Sequence, residues 1–273
     1  MNGFALIIKP DEEEAEAAEI LVDGKLGGRN YRFLLDTGAA TTRVKCDDYI
    51  LAFPNVEKRE TRGTFSKSNL DLIIVPDIAL GPITKENFTL ARAPESAPNN
   101  IIGMDLLKDY SLLFDFAKGR VEVDAACPPE GAGACRELTL GSKSHPYVGV
   151  TFGGMSARAV WDTGAGMTVV DSQFVKDNPS LFRELSLSSG TDSAGVTRET
   201  PLFAMKAMTI GNTAFPAHKV AALDLSPIKA STDVPMDLIL GYNLLHRANW
   251  WFDFPNRKWA VFKVPYQVSC GAA

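Results

Sequence analysis

Cysteine and histidine are scarce in this chain of 273 residues, at four and three copies. His145, His218 and His246 stand far apart, none with a second His or Cys at ligand spacing. They read as surface or packing histidines, and neither a metal nor a cofactor is expected. Cys127 and Cys135 have seven residues between them, too many for a zinc knuckle. They read as free thiols, or as a disulfide if the protein is exported. Cys46 has no neighbouring histidine signal and reads as structural. Basic charge is also lacking: 28 Lys and Arg against 33 Asp and Glu give a net charge of −5. A nucleic-acid binder needs a basic footprint, so that class is set aside. No apolar run reaches the roughly 18 residues of a membrane helix, so no membrane span is expected. A Gly-x-Ser-x-Gly elbow is missing. The third glycine of a dinucleotide loop is missing after Gly164 and Gly166. Met1 leads into a short apolar stretch and then the acidic run Asp11 to Glu14, unlike a secretory leader. The compartment stays open: cytoplasmic as the sequence stands, periplasmic or secreted if a leader was removed.

What remains is a chain with 45% hydrophobic and 22% charged residues, able to build a core of one or two domains. Its 22 glycines and 16 prolines suit a turn-rich β protein. The dominant feature is an internal repeat. Phe33, Leu34, Leu35, Asp36, Thr37, Gly38, Ala39 returns 126 residues later as Ala159, Val160, Trp161, Asp162, Thr163, Gly164, Ala165. Ile101, Ile102, Gly103, Met104, Asp105 returns as Ile239, Leu240, Gly241, Tyr242, Asn243, and Leu113 to Phe116 returns as Trp251 to Phe254. The expected division is an N-terminal lobe over 1–128, a linker over 129–137 and a C-terminal lobe over 138–273. Pro128 and Pro129 followed by small residues read as linker.

Both halves read as short strands. Glu19 to Val22 and Tyr31 to Leu35 flank turns at Asp23, Gly24 and at Gly27, Gly28. Leu70 to Val75 and Ile78 to Leu80 are further strands. Ser111 to Phe116 with Arg120 to Val123, and Trp250 to Phe254 with Lys258 to Phe262, read as closing hairpins. Short helices are expected over Met104 to Tyr110, Ser172 to Asn178 and Leu244 to Ala248. Asp115 and Asp253 read as structural residues at hairpin turns. The acidic stretch Asp11 to Glu19 reads as a solvated face or a disordered arm.

Each repeated aspartate ends an apolar strand, where a carboxylate is costly unless it is paired or hydrogen-bonded. If the halves pack about a pseudo-twofold axis, Asp36 and Asp162 meet across it. Two carboxylates in contact share a proton and titrate as a unit. Such a pair can deprotonate a water and polarise a carbonyl at once, without metal or covalent intermediate.

These residues resemble the aspartic peptidases of the pepsin and retropepsin clan. The likeness rests on Asp36, Thr37, Gly38, Ala39 and Asp162, Thr163, Gly164, Ala165, each after an apolar strand. It rests equally on Ile101, Ile102, Gly103 and Ile239, Leu240, Gly241. It implies an all-β, bilobal pepsin-like fold of two tandem retropepsin-like β-barrel lobes with a few short helices. It implies an aspartic endopeptidase with Asp36 and Asp162 catalytic, and reciprocal hydrogen bonds between Thr37 and Thr163. It also implies flaps, for which Arg62, Gly63, Thr64, Phe65 and Ala194, Gly195, Val196 are the candidates; neither set carries the tyrosine of a pepsin flap. The expected partner is an extended peptide or protein substrate, and the expected state is a monomer. The alternative is a catalytically inactive, peptide-binding module on a protease fold.

Overall fold

A computed structural model describes residues 2–62, 67–125, 134–191 and 197–263. Strand makes up 52% of the chain and helix 11%, so the protein is all-β with a few short helices. The strands form three sheets. An eight-stranded sheet uses only the first half of the chain, in the order Ile7–Pro10, Ala18–Leu26, Arg29–Leu35, Asn100–Ile102, Arg43–Lys45, Ile83–Ala93, Lys67–Leu80, Glu57–Arg62. A ten-stranded sheet is built wholly from residues 139–240.

The two sheets repeat one pattern. Arg29–Leu35 runs parallel to Asn100–Ile102, and Met155–Trp161 runs parallel to Leu238–Leu240. Arg43–Lys45 lies between Asn100–Ile102 and Ile83–Ala93, antiparallel to one and parallel to the other. Val169–Asp171 holds the same place between Leu238–Leu240 and His218–Leu223. Strands in the middle of such a sheet are covered on both faces. This is why Phe33, Leu34, Leu35 and Ala159, Val160, Trp161 are apolar at consecutive positions rather than alternate ones.

The third sheet joins the halves. Its order is Gly3–Ala5, Arg120–Val123, Ser111–Asp115, Asn249–Asp253, Lys258–Phe262, Arg136–Glu137. The two closing hairpins lie edge to edge, with Leu112 opposite Phe252 and Leu113 opposite Trp251. Above this seam Trp161 is wholly buried, 4.6 Å from Phe114 and 4.7 Å from Phe252 between ring centroids. Each such ring contributes about 1.5–3 kcal/mol through burial. Trp161 immediately precedes Asp162, so that aspartate hangs from a buried aromatic cluster.

Several local expectations need correction. No turn forms at Asp23 and Gly24; Ala18–Leu26 runs on to the Gly27, Gly28 turn, where both glycines have positive φ. Phe33 packs where a Gly24 Cβ would stand, so that glycine serves close approach. Lys67–Leu80 is one strand through Pro76, whose missing N–H is tolerated because the ladder skips there, opposite Asn87 at φ 49°. Arg136–Glu137 pairs with Lys258–Phe262 at the edge of the third sheet. The expected helices cover Met104–Leu107, Ser172–Asp177 and Tyr242–Leu245, and two unexpected ones cover Asp48–Leu51 and Ser226–Lys229. The acidic stretch is not a disordered arm. Glu14 accepts from Lys219 at 2.7 Å, Glu16 from Arg247 at 3.3 Å, and Glu19 from Lys9 at 3.0 Å. Lys219 and Arg247 of the other half and Lys9 of its own half hold it in place. Asp115 Oδ1 accepts from Lys118 N–H in its own turn at 3.1 Å and from the Asn249 side-chain amide across the seam at 2.9 Å, and Asp253 Oδ1 accepts from Asn256 N–H at 3.0 Å. Cys127 lies outside the described residues, and with it the question of its pairing.

Candidate active site

The repeated motif places its two aspartates at strand ends that face one another. Asp36 N–H donates to Ile102 O at 3.0 Å, and Asp162 N–H to Leu240 O at 3.1 Å. Each loop then turns back, and the segment behind it takes hold: Met104 N–H donates to Ala39 O and Tyr242 N–H to Ala165 O, both at 2.8 Å. Gly103 and Gly241 lie so close under the loops that a Cβ at either would strike backbone, at Thr41 and Ala39 or at Met167 and Ala165.

The support beneath the loops is also duplicated, with one change of chemistry. In the first half Asp105 accepts from Thr42 N–H at 2.9 Å and from its hydroxyl at 2.6 Å. In the second, Asn243 accepts the same pair from Thr168 at 2.8 and 2.9 Å and donates to Lys219 O at 2.7 Å. Burial pushes the Asp105 carboxyl above its usual range, against the hydrogen bonds from Thr42.

Between the loops the hydrogen bonds cross from half to half. Thr37 N–H donates to Thr163 Oγ1, and Thr163 N–H to Thr37 Oγ1, each at 3.1 Å. The Thr37 hydroxyl donates to Trp161 O at 2.8 Å. Both threonines are buried. Gly38 N–H donates to Asp162 Oδ1 at 3.1 Å, and Gly164 N–H to the same oxygen at 2.8 Å. Any side chain at Gly38 would strike the Asp162 carboxylate, and any at Gly164 the Asp36 carboxylate.

The two carboxyls are hydrogen-bonded to each other, Asp36 buried and Asp162 half-buried. Burial and then the charge of Asp162 hold Asp36 well above the usual carboxylate range. Burial also raises Asp162, against the backbone N–H groups of Gly164, Gly38 and Ala165. The pair therefore keeps a proton at pH values where isolated aspartates have lost theirs.

A cleft of about 1240 Å³ opens over the pair. Its walls include Arg43 and Leu70 from the first half and Val169, Leu223 and Met236 from the second. The acidic connection Asp11–Glu14 forms one rim. His145 lines the cleft too, with burial and the neighbouring Lys143 charge lowering its pKa to about 4. A lone histidine carried no such signal in the sequence; its turn precedes the Pro146–Phe152 strand and is brought to the rim by the fold.

Long hairpins rise on both sides, Glu57–Arg62 with Lys67–Leu80 and Phe182–Thr191 with Thr197–Met205. Arg62 ends the first of these strands. Gly63, Thr64, Phe65, Ala194, Gly195 and Val196 lie outside the described residues. No cluster of His, Cys, Asp and Glu suited to a metal occurs among the described residues, and no described helix is long and apolar enough to cross a membrane.

No curated protein matches the chain. Residues 148–244, the stretch that carries Asp162 and its supporting segment Leu238–Gly241, match the aspartyl protease family.

Proposed function

We propose that the protein is an aspartic endopeptidase in which Asp36 and Asp162 hydrolyse a peptide bond in the cleft between two pepsin-like lobes, residues 1–128 and 138–273. The observation that carries this reading is the mutually hydrogen-bonded pair of aspartates, one from each copy of the repeat, lining a single cleft. The aspartyl protease match over residues 148–244 supports it.

The hydrogen bonds are spread unevenly over the pair. Asp162 Oδ1 accepts two backbone N–H groups, which favours negative charge there. On that asymmetry of donors the shared proton is assigned to Asp36. A water between the carboxyls loses a proton to Asp162 as its oxygen attacks the scissile carbonyl. Asp36 donates its proton to the carbonyl oxygen, giving a neutral tetrahedral diol. Collapse of the diol breaks the C–N bond. The proton on Asp162 passes to the leaving nitrogen, and a diol hydroxyl returns a proton to Asp36. Thr37 and Thr163 hold the loops in register, and the opposed glycines admit each carboxyl to its partner. The substrate lies extended, its backbone pairing with the hairpins on either side. One chain supplies both aspartates, so a monomer suffices.

The test is cleavage of an unfolded protein by the wild type and by Asp36→Asn and Asp162→Asn, from acid to neutral pH. Each variant is expected to lose at least a thousandfold in kcat/KM. The wild-type alkaline limb should lie above the ordinary carboxylate range, because activity ends when the shared proton leaves. A wild type inert throughout, or a variant that keeps its activity, overturns the proposal.

A further inference from the structure

The two halves of the cleft are not equivalent, and one pair of matching positions differs in charge. Arg43 and Val169 each lie seven residues after an aspartate. Arg43 is paired opposite Ala91 and Ile101; Val169 is paired opposite Ala221 and Ile239. The alanines and the isoleucines match, so the flanking strands are alike and only the central side chain differs. Both side chains are half-buried and both line the cleft.

Around Val169 the wall is apolar: Val169 packs with Leu223, Ile228, Met236 and Ile239. In the first half Ile101 packs with Leu21, Leu34 and Ala39, and a guanidinium takes the place of the isopropyl group. Its charge reaches Asp36. A guanidinium has five donors in a planar fork, so it can serve more than one acceptor.

We propose that Arg43 makes the cleft select a substrate with a side-chain carboxylate, Asp or Glu, on one side of the scissile bond, while the Val169 wall takes an apolar side chain on the other. This rests on the peptidase reading above. The physical reason is that a guanidinium keeps donors for a further acceptor, and a carboxylate takes such hydrogen bonds more strongly than a neutral amide of the same shape, such as glutamine's.

The experiment uses peptides with amidated C-termini, so that a terminal carboxylate cannot stand in for a side chain. A matched set with a free terminus reports that source separately. At each position near the cleavage point Glu is compared with Gln. The wild type is expected to favour Glu at one position by about tenfold or more in kcat/KM, the range of a charge-assisted hydrogen bond. Arg43→Gln should erase that ratio, and Arg43→Lys should keep part of it, which guards against a variant that merely misfolds.

A second arm needs no catalysis: binding of the same amidated peptides to Asp162→Asn, with and without Arg43→Gln, by calorimetry. Tighter binding of Glu peptides that disappears with Arg43→Gln supports the selection even if no bond is cut. Equal treatment of Glu and Gln by wild type and by Asp162→Asn overturns it, as does a Glu preference that survives Arg43→Gln. So does a preference seen only with free C-termini. Loss of cleavage with retained Glu-selective binding would count against the peptidase reading alone.

Discussion

Asp36 illustrates how a side chain suited to chemistry can weaken the fold that holds it. Its carboxyl is raised by burial and by Asp162. Between the unfolded pKa, near 4, and the higher folded one, the native state binds more protons than the unfolded chain, so stability falls as pH rises through that window. Asparagine does not titrate. Asp36→Asn is therefore expected to abolish cleavage and yet to melt higher than the wild type at pH 7, with a smaller gap at pH 4. Melting curves at both pH values check this, and an equal or reversed gap at pH 7 would refute it. Asp105 obeys the same sign, its folded pKa being raised by burial. Asp105→Asn, which copies Asn243, should flatten the loss of stability between acid and neutral pH, as read from urea midpoints across that range. At this scale the paired aspartates were legible because each appears twice with its companions. Arg43 and His145 were not, because a single charged side chain has no signature until the chain carries it to the cleft.

Elements show where local pattern is enough and where it fails. The closing hairpins and the short helices after Gly103 and Gly241 follow from apolar runs and turn residues within a dozen positions. The Asp23, Gly24 turn was misread because a glycine placed for close approach to Phe33 looks the same in sequence as a turn glycine. The strand through Pro76 was divided because its tolerance depends on a skipped pairing with a distant segment. The duplicated glycines under the loops make a sharp prediction. Gly241→Ala drives a Cβ into Met167 and Ala165, costing about 1–3 kcal/mol as in other overpacked sites. Because these residues carry the Asp162 loop, kcat should fall along with stability. A variant with native melting and native kcat would show that the contact has slack.

On the scale of the whole molecule, the all-β class was readable from composition and repeat, whereas the sheet joining the halves was not. Its central pairing links residues about 140 positions apart, and nothing in either hairpin names its neighbour. That sheet makes a prediction of its own. Residues 1–128 alone would expose the Ser111–Asp115 edge and the underside of Phe114, an invitation to aggregate. Co-expressed 1–128 and 129–273 should copurify as one particle, while either piece alone should be insoluble or self-associated on size exclusion. Two soluble monomeric pieces would mean the seam contributes little. Phe252→Ala, which removes a ring from both the seam and the Trp161 cluster, is expected to cost about 3–5 kcal/mol in chemical denaturation.

An assembly of two identical chains must show its ligand the same face twice, and any change to one wall is copied onto the other. With both walls encoded in one polypeptide, position 43 is arginine while position 169 is valine. The groove thus has a direction: a bound chain read from left to right differs from the same chain read backwards.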